Sequence, residues 1–168
     1  KYIHNVKGGN YRIDPIQAIV LDEKLKHLDK WNAYRRKFAQ YYENIVNEEI
    51  EVPLTKPAPW CTEQVFHIFP VLVGDTDAER QELMNYMQEK GSQVGIHYPI
   101  CIEETGAYND LATSNFNPRT RRNAARLVSL PIHPFMSSED CLKVVSILNN
   151  WKSEKKQYEE LAHRAQRV

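Results

Sequence analysis

Three short segments pair glycine or proline punctuation with side chains able to donate to phosphates or sugar hydroxyls. They are Gly8-Gly9-Asn10-Tyr11-Arg12, Gly95-Ile96-His97-Tyr98-Pro99 and Ser129-Leu130-Pro131-Ile132-His133-Pro134. In the first, the Asn10 amide and Arg12 guanidinium follow glycines that permit tight backbone geometry. A helix start is predicted just beyond, where free N–H groups and the helix dipole favour an anion. A plain turn with a surface ion pair is the competing account. In the second, the His97 imidazole and Tyr98 phenol stand at a strand end held by Pro99. They can donate to a pyrophosphate or orient a sugar hydroxyl; a packed His–Tyr pair is the alternative. His67 and His133 read as structural, and His4, His27 and His163 have no ligand spacing. Arg119, Arg121 and Arg122 read as a solvated basic face. No G-x-S-x-G elbow, P-loop or Rossmann glycine pattern is present.

These segments need elements to hold them. Asp14-Pro15-Ile16-Gln17 combines a helix cap, a first-turn proline and a capping-box glutamine. Helical spacing then runs to about Val46 through Leu21, Leu25, Leu28, Phe38, Tyr42 and Ile45, with a bend expected near His27 to Asp29. Residues 51–60, with three prolines, predict a loop. Gln64 to Val73 predicts a strand, and Pro70 within it an edge position or bulge. Thr76 and Glu79 open a helix with Leu83, Met84 and Met87 on one face and Gly91 as its stop. Val94 to Tyr98 predicts a short strand, 99–117 irregular chain with about one turn, and Pro118 to Leu127 a short arginine-rich helix. Ser137 opens a last helix through Leu142, Val145, Leu148 and Trp151, and the polar residues beyond either extend it or fray. Helices alternating with a few strands indicate an α/β arrangement.

The 168 residues suffice for one domain with a core. The 22 basic and 22 acidic residues cancel, which removes any bulk attraction to nucleic acid or an anionic membrane. No apolar run approaches a membrane span, so neither partner is expected. Cys61, Cys101 and Cys141 are sparse and odd in number, without ligand spacing. They read as free thiols in a reducing, cytoplasmic compartment rather than a disulfide frame or metal site. Lys1 has no preceding methionine, and Tyr2 to Gly9 reads as the middle of a longer polypeptide. A fragment is the expectation.

The three segments, in this order and spacing, together with Lys24-Leu25-Lys26-His27-Leu28-Asp29-Lys30-Trp31-Asn32-Ala33-Tyr34-Arg35, resemble the C-terminal half of the DegT/StrS-like sugar-nucleotide aminotransferases. The resemblance covers about residues 8 to 150. It implies the small C-terminal domain of an aspartate-aminotransferase-like fold, with a long N-terminal helix and a small sheet flanked by helices. Residues 1–12 would end the connection from a cofactor domain, 13–151 form the small domain, and 152–168 a polar helical extension or tail. It further implies a pyridoxal-phosphate (PLP) enzyme that transfers an amino group, usually from L-glutamate, to a keto carbon of a nucleoside-diphosphate sugar. A homodimer is implied, with Asn10 reaching the PLP phosphate of the partner subunit and Arg12, His97 and Tyr98 lining the substrate side. One departure stands out. Cys101, Glu103 and Thr105 replace the family's proline, histidine and glutamine, while Ala107 and Tyr108 match. A carboxylate there should repel a phosphorylated substrate unless it turns away or pairs, which leaves the sugar open.

In the family the lysine that holds PLP lies upstream of the Asn10 segment. No such segment is present, and Lys1 and Lys7 are in the wrong context, so no catalytic residue is assigned and the chain alone is expected not to transaminate. Two further readings stay open: a non-catalytic module for nucleotide-sugar binding or dimerisation, and part of a PLP-dependent sugar dehydratase with histidine in place of the lysine.

Overall fold

The computed structural model describes residues 3–43, 50–51, 59–108 and 117–165. Helix α1 spans Pro15–Leu25 and α2 spans Leu28–Glu43. The expected bend is a break at Lys26 and His27 between two helices. Asp14 caps α1 by accepting from the Ile16 amide at 2.8 Å, a simple cap in place of the expected box with Gln17. Only the second half of the predicted apolar stripe is core: Phe38, Ala39 and Tyr42 are buried, whereas Leu21, Leu25 and Leu28 are 42–64% exposed. Ile45 and Val46 lie outside the described residues, as does 52–58 of the predicted loop.

Strands β1 (Ile50–Glu51), β2 (Phe69–Val73) and β3 (Leu127–Leu130) form an antiparallel sheet with β2 in the centre. The strand expected from Gln64 begins only at Phe69. Phe66 has φ of 50°, off the extended region, and Arg35 Nη1 takes the carbonyls of Phe66 (3.2 Å) and His67 (2.9 Å) away from any ladder. The edge or bulge expected at Pro70 is also corrected, since β2 is central. Pro70 pairs with Ser129, whose amide and carbonyl both bond Gly95 on the far side. The pair is therefore a non-hydrogen-bonded one, and the N–H that proline lacks would point toward β1. The register of β1 ends at Leu72, so no ladder bond is lost.

The predicted strand Val94 to Tyr98 reduces to a single bridge between Gly95 and Ser129, and the chain bends at His97. Strand β3 itself was not expected from the sequence. It follows α4 (Pro118–Arg126) directly and is cut at Pro131. Helix α3 spans Asp77–Glu89, a single 3-10 turn covers Ile102–Glu104, and α5 runs Ser138–Ala165, so the polar residues past Trp151 extend the helix. Ser137 and Asp140 cap α5 reciprocally, at 3.0 and 2.8 Å.

The core lies on one face of the sheet. Phe69, Val71 and Val73 of β2, with Val128 and Leu130 of β3, meet Phe38 and Tyr42 of α2, Leu83 and Met87 of α3, and Cys141, Val144, Leu148 and Trp151 of α5. Tyr42 stacks edge-on to Phe69 at 5.1 Å and donates its hydroxyl to the Pro131 carbonyl at 2.6 Å. Burial raises the phenol's pKa, as does the neighbouring Cys141. Arg35 adds a third bond, to the Ile132 carbonyl at 2.9 Å. Helix α2 thus pins both the chain entering β2 and the chain leaving β3.

At the start of α3, Thr76 and Glu79 form the predicted capping box. The Glu79 carboxylate accepts from the Asp75 amide (2.8 Å), the Thr76 amide (3.1 Å) and Lys155 Nζ (3.2 Å). It lies so close to Gly74, at φ of 52°, that a Cβ there would come within 2.5 Å. The Asp75 amide bond is the main reason the Glu79 carboxyl is pulled down to about 2.

Replacing Arg35 with Met, which keeps the aliphatic stem, should cost about 2 kcal/mol in urea unfolding; an unmoved midpoint would show that the three carbonyls do not need it. Glu79 has a depressed folded pKa, so its contribution is complete above its unfolded value near 4.5 and is lost as pH falls toward about 2. Glu79→Gln should cost about 1 kcal/mol at pH 7, with the gap from wild type narrowing below about pH 4.5. A gap that stays constant with pH contradicts a charged cap.

Candidate functional site

The glycine before His97 and the serine that begins the proline turn are brought side by side. Gly95 donates to the Ser129 carbonyl at 3.1 Å and accepts from the Ser129 amide at 2.7 Å. His97 Nδ1 lies 2.9 Å from Ser129 Oγ, and Ser129 is buried. Two segments that stand 32 residues apart are thus fastened by three bonds around one serine. A side chain on Gly95 would meet the His97 ring at 3.0 Å, so the glycine makes room for the imidazole. With Nδ1 engaged by Ser129, Nε2 is the nitrogen left for a ligand. If the serine hydroxyl donates to Nδ1, Nε2 carries the proton and can donate to a phosphate oxygen.

Tyr98 stands edge-on to His97, with ring centroids 5.8 Å apart, and is 64% exposed. Asn10 and Arg12 are exposed on an irregular strap that leads into α1. His97 bonds Ser129 and stands against Tyr98, not against Asn10 or Arg12. The N-terminus of α1 is already occupied by the Asp14 carboxylate, which would repel an anion at that point. Any phosphate contact from this strap must come from the Asn10 and Arg12 side chains rather than from the helix end. Gly8 and Gly9 have open space around them, with nothing within 4 Å of a built Cβ.

Two of the three departures in the 101–105 stretch belong to the turn itself. Cys101 is buried, and its amide donates to Glu104 Oε2 at 3.1 Å. Burial, then Glu104, pushes its thiol pKa up, the opposite of a reactive thiolate. Thr105 is buried and donates its hydroxyl to the Ile102 carbonyl at 2.6 Å. Glu103 is the half-exposed one. Its neighbour Glu104 pairs with Arg121 at 2.5 Å, which ties the turn to α4. Arg122 pairs with Asp75 on the same exposed face.

Sequence reasoning missed Ser129 and Arg35 as positioning residues. Both stand in segments it had picked out, Ser129 opening the proline turn and Arg35 closing the helical run. Arg35 also lines a cleft of about 340 Å³ with Leu28, Trp31, Asn32, Val65, His67 and Pro134. His133 Nδ1 accepts from the Phe135 amide at 3.2 Å, which holds the turn closed. Among the described residues no group of His, Cys, Asp or Glu could hold a metal ion, and no helix is long and apolar enough to cross a membrane.

The chain has relatives of known kind. It is 37% identical over 152 residues to a dTDP-3-amino-3,6-dideoxy-alpha-D-galactopyranose transaminase of Aneurinibacillus thermoaerophilus, covering 90% of this chain and 40% of that protein. It is 35% identical over 149 residues to the erythromycin biosynthesis sensory transduction protein EryC1 of Saccharopolyspora erythraea, covering 88% of this chain and 39% of the relative. Among solved structures, S. venezuelae DesV in complex with ketimine intermediate superposes with a TM-score of 0.72 at 33% identity, over 90% of this chain and 40% of that one. The chain therefore spans about 40% of the length of these relatives. The model of the DegT/DnrJ/EryC1/StrS aminotransferase family matches residues 1–149, and the chain belongs to that family.

Proposed function

We propose that this chain is the C-terminal part of a PLP-dependent aminotransferase that moves an amino group, from a donor such as L-glutamate, onto a keto carbon of a nucleotide-linked sugar. The observation that carries this reading is the fastening of His97 to Ser129 in a chain whose relatives are named as dTDP-sugar transaminases. When bound, PLP supplies the electron sink that lets an amino group leave one carbon and join another.

The donors on this chain fit the phosphate end of that cofactor. Asn10 offers an uncharged N–H₂ on a glycine-flanked strap, the kind of donor that can approach a phosphate closely, and in this reading it binds the PLP phosphate held by the partner subunit. Arg12 supplies positive charge to the substrate's phosphates. His97, oriented by Ser129, donates through Nε2, and Tyr98 presents its hydroxyl to the sugar. Glu103 is the residue on which sugar choice would turn, since it puts a negative charge near this segment.

A homodimer is part of the proposal, and α1 supports it. Ile16, Ile19, Val20, Leu21 and Leu25 are 47–73% exposed on a helix that buries none of its residues. Ile13, Leu21, Leu25, Leu28 and Trp31 line an apolar groove of about 520 Å³ along it. An apolar surface of this kind is what further polypeptide, from the same or a partner subunit, covers. The free cysteines fit a reducing, cytoplasmic setting.

In the protein at its full natural length, Asn10→Ala should weaken binding of pyridoxamine 5′-phosphate about tenfold, the loss of one hydrogen bond to a charged group, with thermal unfolding unmoved. Equal affinity in the variant would remove Asn10 from the phosphate site. The 168-residue chain alone, mixed with PLP and L-glutamate, should show no amino transfer. A PLP–lysine absorbance band that vanishes on mutating a lysine of this chain would overturn that expectation.

A further inference from the structure

The strap bearing Asn10 is irregular and exposed, yet it is tied down at one place. The Ala107 amide donates to the His4 carbonyl at 2.6 Å. Beside that bond, Gly106 lies against Asn5: a Cβ on the glycine would stand 2.7 Å from Asn5 Oδ1 and 3.5 Å from both the Asn5 Cα and the His4 carbonyl. Lys7 Nζ sits over the Tyr108 ring, 5.4 Å from its centroid. The strap thus lies along 106–108, and each contact comes from a different residue of each partner.

The surface it lies on is built to stay put. Cys101, Thr105 and Ala107 are buried. The Thr105 amide and hydroxyl both bond the Ile102 carbonyl, the Tyr108 amide bonds the Thr105 carbonyl at 3.0 Å, and Glu104 ties the turn to Arg121 of α4. The same turn follows His97 and Tyr98 along the chain, with residues 99–104 between. Asn10 is six residues past His4, so even fully extended it stays within about 20 Å of the bond to Ala107.

We propose that the 105–108 turn is a clasp that sets the Asn10–Arg12 strap relative to the His97–Tyr98 segment, with Gly106 as the positioning residue. A ligand spanning the two segments then meets donors already held near one another, instead of having to order a free strap as it binds. A side chain that branches at Cβ on Gly106 would crowd Asn5 Cα and the His4 carbonyl, each 3.5 Å from that Cβ. An alanine methyl meets chiefly the end of the Asn5 side chain, which can swing away. This rests on the reading that both segments serve one phosphate-bearing ligand, and the test separates the two.

Hydrogen exchange on the protein at its full natural length reads the clasp without any ligand. The wild-type Ala107 amide should exchange slowly; rapid exchange there refutes the clasp without recourse to variants. Gly106→Val should raise exchange at the Ala107 amide about tenfold while β2 and β3 stay as protected as before, Ala107→Pro should leave the same strands protected, and Gly106→Ala should match wild type. Affinity for pyridoxamine 5′-phosphate should fall about tenfold in the first two variants and not in the third. Faster exchange with unchanged affinity would mean that the clasp holds the strap but positions nothing, and the proposal fails. If the clasp variants weaken binding while Asn10→Ala does not, the clasp stands and the assignment of Asn10 to the phosphate falls.

Discussion

Strand β3 has two edges, and the candidate site depends on each being used for a different purpose. Toward β2, Ser129 makes no backbone bond, because its pair with Pro70 is a non-hydrogen-bonded one. Toward the other side, the Ser129 amide and carbonyl both close on Gly95. An antiparallel strand alternates the direction of its backbone groups, so a proline is tolerated opposite a residue whose polar groups point away from it. The side chain of that residue then takes His97 Nδ1 at 2.9 Å. The placement of the imidazole thus depends on the register of β2 against β3, and so on the core beneath them.

That register is held by α2. Tyr42 and Arg35 reach the carbonyls of Pro131 and Ile132 just past β3, and Arg35 also takes those of Phe66 and His67 just before β2. The bonds to Phe66, Pro131 and Ile132 are part-buried, and an unpaired carbonyl there costs about 1 kcal/mol, so the two side chains do more than decorate the helix. They fix where both strands meet the loops that frame the cleft between Leu28 and Pro134. The other end of the molecule relies on the Thr76–Glu79 box and Gly74, which turn the chain from β2 into α3.

Local chemistry was legible in the sequence where the partners are close along the chain. Thr76 with Glu79, Ser137 and Pro118 mark helix starts that the structure keeps, and Gly91 marks a stop at φ of 76°. Long-range effects were not legible. Nothing near Phe66 announces that Arg35, 31 residues earlier, will take its carbonyl and shorten the strand. Four residues between a helix and Pro131 carry too little pattern to show β3. Periodicity correctly marked an apolar face on the first helix, but could not tell a face buried in this chain from one left at its surface. At the site, the residue types of Asn10, Arg12, His97 and Tyr98 were readable, whereas the two residues that orient them, Ser129 and Gly106, act through contacts 32 and about 100 positions away.

A pocket shared between the strap and the histidine segment is best tested by a crystal structure of the full-length protein with pyridoxamine 5′-phosphate and a dTDP-linked sugar. The account predicts the Asn10 amide and His97 Nε2 each about 3 Å from a phosphate oxygen of one or other ligand, with the Ser129–His97 bond kept. Both ligands lying well beyond hydrogen-bond reach of Asn10 and His97 would contradict it.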